Sequence, residues 1–171
     1  MFNSVIFDKD GVLMETEEGK IRSYYSVLME MIPEKKPEWE KYRDWHRDTL
    51  TGKSRKNVVE GIIQKYPSVC AFLLETRKSL KEKWESGHFN KSEYKEVKKE
   101  IETWSKNYDF DDFPPSLILS IHRLIKYADM SLEEKCNPIE SMYGLLQSLQ
   151  ENEVPIGLVT ESELERTKRE L

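Results

Sequence analysis

The chain has 171 residues, with 27 Lys+Arg against 32 Asp+Glu, a net charge of −5, and 37% hydrophobic and 11% aromatic content. Four Trp, eight Tyr and six Phe are too many large apolar side chains for a disordered chain. The acidic balance offers no basic field for nucleic acid, and no apolar run approaches the roughly 18–20 residues that span a bilayer.

The N-terminus lacks the basic start of a secretion signal. Cys70 and Cys136 stand far apart without metal-ligand spacing, as free thiols of a reducing cytosol do. A soluble, globular, cytoplasmic protein is expected. In chain order, Asn3-Ser4-Val5-Ile6-Phe7-Asp8 predicts a short strand that breaks into a turn at Gly11. A helical pattern follows from about residue 18 to 128. Its first helix carries Ile21, Tyr24, Leu28 and Met31 and ends at Pro33. The second carries Trp39, Tyr42, Trp45 or His46, and Leu50. Ser54 is the N-cap of a third, with Val58, Val59, Ile62, Ile63 and Tyr66. Leu73, Leu80 and Trp84 mark a fourth that stops near Gly87. Tyr94, Val97, Ile101 and Trp104 mark a fifth. A sixth, with Leu117, Ile118, Ile121, Leu124 and Ile125, is entered through Pro114-Pro115. One apolar stripe per helix predicts a bundle. Pro138 then opens a helix with Ile139, Met142, Leu145, Leu146 and Leu149, followed by a second strand over residues 154–160 and a charged helix over about 162–171. Two strands joined by helices are most simply parallel neighbours in one α/β sheet.

The densest chemical signal is Asp8-Lys9-Asp10-Gly11. Alternation along an extended segment puts Asp8 and Asp10 on one side, at the end of a strand, where open α/β folds bind ligands. Such a pair can hold a hard divalent cation, or divide nucleophilic and proton-transfer roles. The same residues also suit a plain turn. A calcium loop with Asp10 and Gly11 at positions five and six would place Ile6 at position one, where no side-chain ligand exists. His46, His88 and His122 lack partners at ligand spacing and read as structural or exposed. The four Trp read as core.

Val5-Ile6-Phe7-Asp8-Lys9-Asp10-Gly11-Val12-Leu13, followed by Glu15-Thr16-Glu17, resembles the first motif of the haloacid dehalogenase superfamily, in the beta-phosphoglucomutase and phosphoglycolate phosphatase group. Glu15 stands where that group usually has Asp. Ile156-Gly157-Leu158-Val159-Thr160 resembles the second motif, a strand ending in Thr or Ser, and Leu50-Thr51-Gly52-Lys53-Ser54-Arg55 resembles the substrate-specificity loop of the helical cap. Without the resemblance, that last stretch reads as a helix–helix turn with a Ser cap.

The resemblance implies an α/β fold: a partial Rossmann-like core of parallel strands over residues 1–14 and 131–171, with a large inserted all-α cap over 15–130. It implies a Mg²⁺-dependent phosphohydrolase acting through an aspartyl-phosphate. Asp8 would be the nucleophile and Asp10 the acid and base, with Mg²⁺ on the Asp8 side chain and the Asp10 carbonyl. Thr160 would hold a phosphate oxygen, and Thr16, Gly52, Arg55 and Glu161 would lie at the substrate. The Glu161 carboxylate suits a phosphate site only if it points away. The expected partner is a small phosphorylated metabolite, with neither nucleic acid nor membrane. A phosphomutase of the same family is the alternative, as is a catalytically incomplete protein that serves as a helical interaction module. The family's later Lys and acidic motifs have no counterpart in these 171 residues, since Lys168 and Arg169 precede the place for that Lys. The sequence is therefore expected to be truncated after the second motif, inactive or very weak and poorly stable alone, and completed by a second chain or a missing C-terminal segment.

Overall fold

A computed structural model describes residues 4–8, 16–32, 36–133 and 139–159 of the chain, and only the backbone of Asp8, Thr16 and residues 131–133. The described elements are β1 (Val5–Asp8), α1 (Thr16–Met31), α2 (Trp39–Leu50), α3 (Arg55–Lys65), α4 (Val69–Glu75), α5 (Arg77–Glu85), α6 (Lys95–Trp104), α7 (Pro115–Glu133), α8 (Glu140–Glu151) and β2 (Ile156–Val159). Short 3-10 turns at His88–Asn90, Ser92–Tyr94 and Phe110–Asp112 connect the later helices.

This architecture corrects the expected α/β fold, a partial Rossmann-like core with an inserted all-α cap. The described residues are mostly helical, and their sheet has two strands of four residues each. The physical reason lies in the sequence pattern. Only two runs are short, apolar and rich in β-branched residues, whereas the 3.6-residue period runs through most of the rest. Two four-residue strands cannot form the central layer of an α/β domain.

By its own contacts the chain divides into two compact units, residues 1–20 with 131–171 and residues 21–130. In the first, β1 and β2 pair in parallel, with Val5 opposite Ile156 and Asp8 opposite Val159. The strands run the same way because helices, not a hairpin turn, connect them. Phe7 is buried against Val5, Met142, Leu146 and Leu149, the inward stripe of α8. Ile6 and Val159, on the other face of the sheet, are exposed, as are Ile156 and Tyr143.

The second unit holds the main core. α7 is its central helix. Leu117, Ile118, Leu119, Ile121, Leu124 and Ile125 are all buried, so its apolar surface wraps most of the circumference rather than one stripe. Around it pack Ile21, Tyr24 and Leu28 of α1, Tyr42 and Leu50 of α2, Val58, Val59 and Ile62 of α3, and Val97 and Ile101 of α6. The four Trp flank this core and are partly buried. Polar ties fix the later helices. Arg77 Nε and Nη2 donate to the Phe113 carbonyl at 2.9 and 2.5 Å, and Tyr94 Oη donates to Asp129 Oδ1 at 2.6 Å. That carboxylate raises the Tyr94 pKa to about 12.

The expected fourth helix is two helices. The break falls at Thr76, whose amide bonds back to Phe72 and Leu73 and whose Oγ1 donates to the Leu73 carbonyl at 2.7 Å. A hydroxyl that competes for the backbone carbonyl closes α4, and α5 starts on the next residue.

Candidate functional site

The residues singled out from the sequence fall in both units. Asp8 is the last residue of β1, and its partner in register is Val159, the last residue of β2. The two parallel strands therefore end at the same edge of the sheet. Thr160 and Glu161, which follow Val159 in the chain, lie outside the described residues, as does Asp10. Thr16 is the first residue of α1, with acids Glu17 and Glu18 in the helix's first turn. Lys20 sits 3.8 Å from Glu17.

Gly52 and Arg55 belong to the helical unit, in the turn from α2 to α3. Gly52 has φ of +78° and no atom near a would-be Cβ, so its role is conformational: it supplies the left-handed step that other residues adopt only with strain. Ser54 caps α3, its hydroxyl accepting from the Asn57 amide at 3.4 Å. Arg55 turns toward α6, where its guanidinium meets Glu96 at 3.4 Å and Glu100 at 3.3 Å. All three side chains are partly exposed, so solvent screens these pairs. The pairing spans more than 40 residues of sequence, and no local pattern announces it.

The residues expected to hold Mg²⁺ are Asp8, described by its backbone, and Asp10, which lies outside the described residues. Among the described residues no group of three or more His, Cys, Asp or Glu is placed to hold a metal ion. None of their helices is long and apolar enough to cross a membrane. Cys70 is a free thiol.

A set of buried polar groups was not legible in the sequence as a site. His46, Ser120 and Arg123 are buried in the helical unit, and His46 Nδ1 and Nε2, Ser120 Oγ and Arg123 Nε have no hydrogen-bond partner. Their one sequence signal is the presence of Ser120 and Arg123, three residues apart, among the apolar residues of α7. Comparison with protein-family models, with curated proteins and with solved structures returns no match for this chain.

Proposed function

We propose that this chain is a cytoplasmic, Mg²⁺-dependent phosphohydrolase of a small phosphorylated metabolite, with the chemistry of the haloacid dehalogenase motif that its first residues resemble. One observation carries the reading: Asp8 and Val159 are register partners at the shared end of two parallel strands. The carboxyl ends of parallel strands are where such sheets bind ligands. In the chain, Asp10 follows the last residue of β1 by two positions and Thr160 follows the last residue of β2 by one.

In this reading an Asp8 carboxylate oxygen attacks phosphorus as the bond to the leaving oxygen breaks, and Asp10 gives that oxygen its proton. Asp10 then takes a proton from water. The resulting hydroxide attacks phosphorus, the bond to Asp8 breaks, and inorganic phosphate leaves. Thr160 donates to a phosphate oxygen. Asp8 and the Asp10 carbonyl would hold Mg²⁺, which supplies positive charge against the repulsion between two anions.

The test is release of inorganic phosphate from a panel of small phosphate esters by the full chain, with and without Mg²⁺. Release should require Mg²⁺ and fall at least about 100-fold in Asp8→Asn, since an amide cannot act as the nucleophile. Release that survives Asp8→Asn, or release that is independent of Mg²⁺, would overturn the proposal.

A further inference from the structure

α2 is docked by a face whose polar atoms the rest of the protein does not satisfy. Its buried side chains are Tyr42, His46 and Leu50, each one helical turn from the next. Two of the three carry polar atoms without a hydrogen-bond partner, Tyr42 Oη and both ring nitrogens of His46. Of the five such atoms among the described residues, three are therefore on this one helix. Each is sealed from solvent, so no water reaches it while α2 is in place. A buried polar atom with no partner costs the docked form its desolvation penalty, which is recovered when the group meets water. Unpartnered groups are rare in native interiors, and their collection on a single helix calls for an explanation.

The two ends of α2 are held unequally. At its start Glu38 makes no side-chain cap, and the ties are a hydrogen bond from Tyr25 Oη to the Pro37 carbonyl at 3.0 Å and the edge contact of Trp39 with the Tyr25 ring. At its end Leu50 fills the space beside Gly61 of α3, where a Cβ would stand 2.6 Å from Leu50 Cδ2. Gly52, just beyond, has φ of +78° and open space around it, and can absorb a change of angle between α2 and α3. The groups around His46 favour release further. Tyr24 of α1, Tyr42 of α2 and Arg123 of α7 are the titratable or charged groups against its ring, and Tyr66 of α3 lies beyond Tyr42. None of them is a carboxylate, and Arg123 repels a charged ring.

We propose that α2 is a displaceable flap of the helical unit, which detaches at its Tyr42 and His46 face as one segment while the other helices keep their packing. Release hydrates Tyr42 Oη and the His46 nitrogens, and it bares the Tyr24 ring over which Arg123 lies. Acid favours release. The docked His46 resists a proton until about pH 4, whereas the hydrated ring of the released form accepts one below about pH 6.5. The docked form therefore loses ground as pH falls through that window. The flap stands apart from the phosphohydrolase reading and does not depend on it.

The test is native-state hydrogen exchange of the full chain, followed amide by amide by NMR at pH 7.5 and 5.0, with and without low urea, and corrected for intrinsic exchange. At pH 7.5 the amides of residues 43–49 should share one opening, at least about tenfold more populated than the opening of α7 and less dependent on urea. That opening should grow at least about tenfold from pH 7.5 to 5.0. Tyr42→Phe removes the unpaired hydroxyl and keeps the ring, so it should make the opening at least about fivefold rarer at both pH values. His46→Leu should abolish the growth at pH 5.0, while the α7 amides still lose protection there through His122. Exchange of α2 and α7 from one common opening with one urea dependence, an opening unchanged in Tyr42→Phe, or growth at pH 5.0 undiminished in His46→Leu would overturn the proposal.

Discussion

His46 packs among the rings of Tyr24, Tyr42 and Trp45. Burial lowers its pKa from 6.5 to about 4, with Arg123 repelling the charged ring further. His122, in contact with Thr76 Oγ1 at 2.7 Å, falls to about 4, first by burial and then through Lys83 and Lys126. The folded chain therefore refuses protons that the unfolded chain accepts between pH 6.5 and 4. Each histidine favours the folded state fully above pH 6.5, and that contribution is lost as pH falls toward 4. It amounts to at most on the order of 3 kcal/mol apiece. Urea unfolding at pH 7.5 and 4.5 checks this: His46→Leu should flatten the loss of stability between the two pH values, whatever it does to stability at pH 7.5. The sequence left the inward position open between Trp45 and His46; His46, four residues after Tyr42, is the one that is buried. Nothing local in it marked Arg123 as a neighbour, since the two come from α2 and α7.

Helices were the most legible elements, because their apolar residues recur at three and four and their ends carry Pro, Gly or Ser. α2 and α3 begin and end within a residue or two of those signals. The break between α4 and α5 was not legible. Thr76 keeps a right-handed helical conformation, with φ −78° and ψ −9°, and Leu73 and Leu80 sit two helical turns apart across it. No Gly or Pro marks the place. α7 carries the greatest load of buried side chains, and Ile118 on it is fully buried. Ile118→Ala should therefore cost about 2–5 kcal/mol, the usual range for a buried large-to-small change, read as a lower urea midpoint. By contrast, the Arg55 pairs with Glu96 and Glu100 are screened at the surface and contribute little to folding. That leaves Arg55 free in energetic terms to exchange partners.

At the scale of the whole molecule, the two units differ in what holds them together. The unit of residues 21–130 contains nearly all of the buried side chains, whereas among the described residues of the other unit Phe7 is the buried apolar one. Native-state hydrogen exchange should accordingly find the β1 and β2 amides exchanging well before those of α7; equal protection would contradict this. The same imbalance explains the error in fold class. The parallel pairing of the two strands was readable from their helical connection, but two strands say little about the whole when the burial lies elsewhere. Of the candidate site, the sequence supplied the strand-end acids and the turn at Gly52. It did not supply the buried set of His46, Ser120 and Arg123, whose members come from α2 and α7. The pairing of Val5 with Ile156 has a last consequence, in the order of folding. It joins positions about 150 residues apart, and the entropy lost on closing a loop grows with its length. Helices rich in local contacts form quickly, while a contact this distant is slow until the intervening chain has folded. The sheet is thus the last part of the chain to assemble, and the strand end that carries Asp8 exists only once the helices between the strands are in place.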